Sequence, residues 1–162
     1  MTSTIDRSQT HATFVLERTY EQPVARVWSA FANAGVKRQW FNNPDFGDFE
    51  FAEDFRVGGA AVNNGRTPEG VLSEFRATYT DIVEHERIVY TYDMWLGGAH
   101  ASTSITTITL EPAGTGTLLT FTEQGVHLDG VHGPGHEAAA GREHGSGWLL
   151  DRIPGVLDPT HD

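Results

Sequence analysis

The sequence predicts an α+β domain in which a curved antiparallel sheet of about six to seven strands wraps around a long C-terminal helix. Its pattern is one strand, two short helices, about six further strands and one long helix. Strands and helices do not alternate, and this order disfavours a doubly wound parallel sheet. The 162 residues fit one domain. We expect it to span residues 12–157, with flexible termini at residues 1–11 and 158–162.

The composition excludes several classes of function. Eleven Lys and Arg residues against 22 Asp and Glu residues give a net charge of −11, which disfavours nucleic acids and anionic membranes as partners. The absence of cysteine excludes disulfides and thiolate metal sites. No apolar run reaches the roughly 18 residues that a membrane-spanning helix needs, and residues 1–10 do not resemble a secretory signal. We therefore expect a cytoplasmic protein with no membrane insertion.

The first elements follow from the spacing of apolar residues. Residues 13–20 alternate between the two faces and are rich in β-branched and aromatic side chains, which predicts a strand. Pro23 suits the first turn of a helix. Apolar side chains then recur at helical spacing at Val24, Val27, Trp28 and Phe31. A second, short helix is predicted over residues 36–40.

Residues 47–123 predict a run of strands separated by turns. The clearest strands span residues 70–82, 87–96, 100–111 and 117–123. Gly58 and Gly59 indicate a bulge or a close backbone approach, and residues 63–66 have the composition of a hairpin turn. The last helix begins near Ala138 or Arg142 and reaches Leu157, and Pro154 should kink it or end its regular part.

Several segments together resemble the START-like superfamily, also called SRPBCC or birch-pollen-allergen-like, in the branch named after the heat-shock-protein-90 ATPase activator domain. The resemblance covers roughly residues 12–157. It is carried by the order and spacing of residues 23–31, 39–41, 55–59, 116–125 and 144–152. It implies a helix-grip fold, which is a curved antiparallel sheet around a long C-terminal helix with a cavity between them.

The resemblance also implies a ligand. We expect an apolar, aromatic or polyketide-like small molecule in the cavity and no cofactor. One alternative is an enzyme that uses the same cavity, namely a cyclase, dehydratase or isomerase. A second alternative is a protein-interaction domain related to chaperone cofactors. An open strand edge would also allow a homodimer.

Glu123 and His100 are the candidate catalytic residues. Glu123 shares a strand face with Leu119 and Phe121, so it should enter an apolar interior, where burial raises a carboxyl pKa and suits it to acid or base chemistry. His100 shares parity with Ser102, Ser104 and the residues that follow. The alternative is an exposed or arginine-paired glutamate, and a shift of one residue in register would turn both side chains outward.

Arg56 and Arg152 are candidate anion holders. The resemblance places Arg56 on the sheet near the double glycine and Arg152 on the cavity helix. A guanidinium at either position could hold a carboxylate or an enolate. The alternative is an ion pair at the rim with Asp54, Glu53 or Asp151.

Aromatic residues are the candidates for the cavity wall, because Tyr and Trp combine an apolar body with a polar group that can orient a ring-bearing ligand. Core packing is the alternative for most of them. Trp148 is the strongest candidate because it lies on the gripped helix. The full set is Trp40, Phe41, Phe75, Tyr79, Tyr90, Tyr92, Trp95, Phe121 and Trp148.

Residues 127–144 are rich in glycine and histidine. Neutral imidazoles with neighbouring carboxylates can bind zinc, but the spacings match no zinc motif, and we predict no metal site. A solvated loop that covers the cavity mouth is the simpler interpretation. His144, at the start of the last helix, is the histidine expected to reach the ligand. The segment contains His127, Asp129, His132, His136, Glu137, Glu143 and His144.

Overall fold

The structure, a computed structural model, describes residues 8–128 and 135–158. Most of the two predicted flexible termini therefore lies outside the described residues. The same is true of Asp129 and His132 in the histidine-rich segment.

Seven strands form one antiparallel sheet. They are β1 (Gln9–Tyr20), β2 (Gly47–Glu53), β3 (Ala60–Arg66), β4 (Leu72–Val83), β5 (Arg87–Leu96), β6 (Ala99–Ala113) and β7 (Gly116–Leu128). Their order across the sheet is β1-β7-β6-β5-β4-β3-β2, so β1 and β2 are the two edges. Each strand pairs antiparallel with its neighbour.

Three helices cover the inner face of this sheet. They are α1 (Val24–Ala32), α2 (Ala34–Trp40) and α3 (Gly135–Leu157). Leu150 and Ile153 of α3 are fully buried in one core with Val27 of α1 and Leu119 of β7. The predicted α+β helix-grip fold is confirmed, because a curved sheet grips the C-terminal helix and two short helices follow the first strand.

The first and last strands, β1 and β7, are longer than the spacing of their apolar residues predicts. β1 begins at Gln9 rather than at residue 13, and β7 continues to Leu128 rather than ending at Glu123. The reason is that they pair along their whole length, from Gln9 opposite Leu128 to Tyr20 opposite Thr117. Pairing with a distant strand stabilises ends that local periodicity leaves undefined.

The predicted turn at residues 63–66 is wrong, since these residues lie in β3. The side chain of Asn63 donates to the carbonyl of Phe41 at 2.6 Å, and that of Asn64 accepts from the backbone of Phe75 at 3.1 Å. The turn follows instead, where Gly70 adopts a φ of 85°. The double glycine does mark a close approach, because a Cβ on Gly59 would lie 2.0 Å from the Asp54 carbonyl oxygen.

Pro154 does not end α3, which continues to Leu157. A proline has no N–H and so leaves the carbonyl four residues earlier, that of Leu150, without its helical donor. The hydroxyl of Tyr20 in β1 donates to this buried carbonyl at 2.8 Å. Tyr20 therefore supplies the hydrogen bond that the proline removes and fastens α3 to the edge of the sheet.

Replacing Tyr20 with phenylalanine should lower the free energy of unfolding by about 1–2 kcal/mol, because the Leu150 carbonyl would stay buried without a donor. In a Pro154→Ala background the new amide can donate to that carbonyl, so the same replacement should cost about 1 kcal/mol less. Urea unfolding of the four proteins measures this coupling. Equal costs in both backgrounds would show that the hydroxyl does not compensate for the proline.

Candidate functional site

A cavity of about 650 Å³ lies between α3, α2 and the inner face of the sheet. Its walls are mainly apolar and aromatic, and exposed residues such as Asn43 and Glu137 mark the side where it opens to solvent. Cavities of this size with a few convergent polar groups are typical ligand sites.

Small residues of α3 leave this space open. Ala138, Gly141 and Gly145 lie at helical spacing on the face of α3 that lines the cavity. A Cβ built on Gly141 or Gly145 would meet no atom within 4 Å. The helix therefore presents bare backbone where a larger side chain would fill the interior.

The first polar cluster in the cavity surrounds the carboxylate of Glu123. Glu123 is 3% exposed and lies on the inner face of β7, two residues after Phe121. Tyr92 of β5 donates its hydroxyl to Glu123 Oε1 at 2.7 Å, and Thr106 of β6 donates to the same oxygen at 3.3 Å. The register of three neighbouring strands thus brings these side chains together.

Arg142 of α3 completes this cluster. Its guanidinium donates to the Tyr92 hydroxyl at 2.8 Å and to Ser102 Oγ at 2.9 Å. The same group lies 3.7 Å from Glu123 Oε2, so it forms an ion pair with the carboxylate. The guanidinium also lies over the Tyr92 ring, 5.6 Å from its centroid.

Burial and charge act in opposite directions on this carboxyl group. Burial raises the pKa of Glu123 above its ordinary value, while the Arg142 charge and the hydrogen bonds from Tyr92 and Thr106 lower it. Burial, reinforced by the Glu123 charge, raises the pKa of Tyr92 far above the usual value. Tyr92 therefore stays protonated as a hydrogen-bond donor, and Glu123 can exchange a proton with a bound molecule.

The second polar cluster is a buried ion pair beneath the cavity wall. Lys37 of α2 lines the cavity, and its Nζ lies 2.7 Å from Glu53 Oε1 of β2. The ammonium donates to the Tyr79 hydroxyl at 3.0 Å, and that hydroxyl donates to Glu53. Both partners are outside the lining, so Lys37 is the member of this cluster that reaches the cavity wall.

Aromatic rings surround the Lys37 amine on its remaining sides. Its Nζ lies 4.6 Å from the ring centroid of Phe41 and 6.0 Å from that of Tyr90. Burial lowers the pKa of Lys37, and the neighbouring Glu53 carboxylate opposes that effect. This amine is therefore closer to losing its proton than an exposed lysine would be.

Eight of the residues chosen from the sequence line the cavity. Trp148 is the most exposed of them, at 45%, and lies at the rim with the Arg152 guanidinium 5.0 Å from its ring centroid. The eight are Trp40, Phe41, Phe75, Tyr90, Tyr92, Phe121, Glu123 and Trp148.

The structure corrects the placement of His100. Ser102, Ser104 and Thr106 face inward, but β6 has an extra residue, Ala101, opposite the step from Met94 to Trp95. This bulge reverses the parity of the strand end and turns His100 outward. There its Nε2 lies 3.0 Å from Asp93 Oδ1 and its ring stacks on Trp95.

Three further candidates lie away from the cavity lining. Trp95 is on the outer face of the sheet, beneath the Arg76 guanidinium. Arg56 is exposed and pairs with Asp54 at 2.9 Å, because it lies in the loop after β2 rather than on a strand. Tyr79 is fully buried behind Lys37.

The two remaining candidates belong to α3. Arg152 donates to the carbonyls of Gln39, Trp40 and Asn42, so it holds the end of α2 rather than lining the cavity. His144 is exposed and lies beside the face that Gly141 and Gly145 define. A helix gives only part of its circumference to one cavity, and His144 falls outside that part.

The sequence interpretation did not select three charged residues at the site, namely Lys37, Glu53 and Arg142. A signal existed for Glu53, which shares strand parity with Phe49 and Phe51, and for Lys37, which lies three residues before Trp40 on one helical face. Arg142 follows the open position Gly141, and we find no local sequence signal for its burial.

In the described ranges, 8–128 and 135–158, no helix is long and apolar enough to cross a membrane. Within the same ranges, no three His, Asp or Glu side chains are grouped so that they could hold a metal ion.

The chain is similar to several proteins of solved structure. A protein from Rhizobium leguminosarum described as uncharacterized is 39% identical, over 93% of this chain and 97% of its own, with a TM-score of 0.85. Mll3558 from Rhizobium loti is 42% identical, over 92% of this chain and 99% of its own, with a TM-score of 0.83. These two proteins share both sequence and fold with this chain.

More distant structures share the fold alone. CalU16 from Micromonospora echinospora is 18% identical, over 95% of this chain and 86% of its own, with a TM-score of 0.65. Among curated proteins, none matches the chain. The family model described as Activator of Hsp90 ATPase homolog 1-like protein matches residues 21–158. This match confirms the predicted branch of the START-like superfamily, and the chain belongs to the family of Activator of Hsp90 ATPase homolog 1-like proteins.

Proposed function

We propose that this protein binds an apolar, ring-bearing small molecule in the cavity between α3 and the sheet. The observation that carries the proposal is the open volume of about 650 Å³ with aromatic walls. Burying an apolar molecule in such a space removes its surface from water, which is worth about 25 cal/mol per Å².

The two polar clusters give the ligand an orientation. Glu123, Tyr92 and Arg142 line the cavity from β7, β5 and α3, and Lys37 lines it from α2. A ligand with a hydrogen-bonding group can meet either cluster while its rings contact Phe41 and Phe75. We therefore expect the ligand to have an apolar body with one or two oxygen-containing groups.

The outer face of the sheet favours this pocket function over docking of a protein there. Val15 and Ile105 are exposed, but they lie on strands separated by β7. Val15 pairs with Thr122 of β7, and Ile105 pairs with Thr91 of β5 and Gln124 of β7, so polar residues flank both. Single apolar residues among polar ones are normal for a surface and do not form a docking patch.

A matched pair of α3 variants tests the proposal with N-phenyl-1-naphthylamine, a neutral probe that fluoresces in apolar cavities. The wild-type protein should bind it with a saturable rise in fluorescence. Gly145→Phe places a ring in the open space that Gly145 faces and should weaken binding at least about tenfold, which corresponds to 1.4 kcal/mol.

Gly155→Phe is the control, because Gly155 is exposed on the same helix, outside the lining, and also faces open space. It should bind the probe as the wild type does. Circular dichroism melting curves check that both variants are folded. Absence of saturable binding to the wild type, or equal binding by the two variants, would contradict the proposal.

Catalysis is a second candidate function, favoured by the convergence of Glu123 and Tyr92 at 2.7 Å inside the cavity. A carboxylate beside a hydroxyl and a guanidinium can remove a proton next to a carbonyl while Tyr92 and Arg142 stabilise the enolate oxygen. Cyclases, dehydratases and isomerases use such a step. A carrier needs the cavity but not this convergence of titratable groups.

A further inference from the structure

Lys37 is the single lysine among 162 residues, whereas the chain has ten arginines. Arginine stays charged at any pH that proteins meet, while a buried lysine can lose its proton and become a nucleophile. The position of this lysine therefore decides where a side chain of this protein can act as an amine nucleophile. That position is the cavity wall, where Lys37 is only 5% exposed.

The amine has hydrogen-bonding partners and aromatic rings around it, and Lys37 is the one charged residue of this cluster that lines the cavity. Glu53 of β2 and Tyr79 of β4 contact the Nζ from behind, at 2.7 and 3.0 Å, and neither lines the cavity. The rings of Phe41 and Tyr90 flank it. The cavity therefore borders a part of Lys37 that Glu53 and Tyr79 do not cover.

The neighbours also provide for transfer of the proton. The ammonium donates to the Glu53 carboxylate and to the Tyr79 hydroxyl, and that hydroxyl donates in turn to Glu53. Burial lowers the pKa of Lys37, and burial with the Glu53 charge raises the pKa of Tyr79. Lys37 is therefore the member of this cluster that releases a proton most readily to Glu53, while Tyr79 remains a donor.

We propose that Lys37 is a catalytic or ligand-binding nucleophile that condenses with the aldehyde or ketone of a ring-bearing molecule in the cavity and holds it as an imine. This inference rests on the proposed function, since the carbonyl compound must first occupy the cavity. It adds the chemical class of the ligand and the residue that reacts with it.

The reaction needs only Lys37, Glu53 and the carbonyl compound. The Lys37 ammonium gives one proton to the Glu53 carboxylate, and the free amine forms a C–N bond with the carbonyl carbon. The carbonyl oxygen takes one proton from this nitrogen and becomes the hydroxyl of a carbinolamine. The nitrogen lone pair then forms the C=N bond while the C–O bond breaks, and the oxygen leaves as water with the proton returned by Glu53. The product is a protonated imine beside the Glu53 carboxylate. No oxidant or reductant is required.

Trapping with a hydride donor tests the proposal. The folded protein is incubated with 2-naphthaldehyde and sodium cyanoborohydride, which reduces an imine to a stable secondary amine. Intact mass should rise by one aldehyde minus one oxygen atom. Peptide mapping then separates Lys37 from the amino terminus, which is the other primary amine of the chain. We expect at least about tenfold more adduct on Lys37, because the cavity holds the aldehyde beside it.

Further controls test whether the reaction at Lys37 requires the folded protein and the open cavity. In urea-denatured protein the preference should reverse, because an α-amino group with a pKa near 8 is less protonated than a free lysine. Lys37→Arg should leave an adduct at the amino terminus alone. Gly145→Phe should lose the Lys37 adduct, while Gly155→Phe should keep it.

The outcomes separate this inference from the proposed function. If 2-naphthaldehyde displaces N-phenyl-1-naphthylamine but modifies the amino terminus alone, the imine is refuted and the binding proposal stands. If neither compound binds, both fall. If Gly145→Phe is modified at Lys37 as fully as the wild type, the reaction does not take place in the cavity and the inference is refuted.

Discussion

Glu53→Gln is expected to lower the free energy of unfolding by about 3–5 kcal/mol near neutral pH, because it leaves the Lys37 ammonium buried without its counter-charge. The side chains of this pair are 6% and 2% exposed, so solvent cannot replace the lost carboxylate. Chemical denaturation measures the change. Asp54→Asn is the matched control, since Asp54 pairs with Arg56 at 2.9 Å on the surface and should cost at most about 1 kcal/mol.

The loss of stability in Glu53→Gln should depend on pH, because the pKa of Lys37 differs between the folded and unfolded states. Without Glu53, the pKa of Lys37 in the folded state falls further below the 10.5 of the unfolded chain. Between these values the unfolded state binds more protons, so the stability of the variant rises with pH in this window. The deficit relative to wild type should therefore narrow between pH 7 and pH 9.

A double variant provides the decisive comparison. Lys37→Met combined with Glu53→Gln removes the charge and keeps an acceptor for Tyr79, so it should be more stable than Glu53→Gln alone. If the double variant is no more stable than the single one, an uncompensated ammonium is not the cause of the loss.

Arg142→Met is expected to lower the free energy of unfolding by about 2–3 kcal/mol at pH 8. The substitution removes the cation beside the buried Glu123 carboxylate and the donor to Tyr92 and Ser102. The pKa of Glu123, already raised by burial, should rise further, since Arg142 is the largest influence that lowers it.

The sign of the pH effect is opposite to that of the Glu53 variant. The folded state of Arg142→Met holds its proton on Glu123 above the ordinary value of 4.5, where the unfolded chain has lost it. Stability therefore falls as pH rises from about 4.5 to the raised pKa, and the deficit should shrink to about 1 kcal/mol at pH 4. Adding Glu123→Gln should abolish this dependence. A deficit that is constant from pH 4 to pH 8 would show that Glu123 is not the group involved.

The sequence predicts those parts of the fold that depend on local spacing. α1 has its apolar face at i, i+3 and i+4, and β5 occupies residues 87–96 as its aromatic-rich composition predicts. Local spacing does not predict where strands end or where bulges occur, because these features depend on pairing with other strands. The extra residue at Ala101 is not visible in the sequence, and it is the reason that His100 faces solvent while Glu123 faces the cavity.

Local spacing likewise predicts some residues of the candidate site and not others. Glu123 and Phe121 could be placed on one inner face because β7 has no bulge between them and Leu119. The burial of Lys37 and Arg142 could not be predicted, since charged helical residues are exposed in most proteins. Their burial depends on Glu53 and Tyr92, which come from strands far away in the sequence.

The attachment of α3 is uneven along its length. Its second half is held by Tyr20 at the Leu150 carbonyl, by Arg152 across to α2, and by Arg26 at the Leu157 carbonyl. Its first half contains Gly141 and Gly145, borders the cavity, and reaches the sheet through the Arg142 side chain. Amide hydrogens before Gly147 should therefore exchange with deuterated solvent sooner than those after it, and a guest molecule could be admitted by loosening one end of the helix while the other end stays anchored.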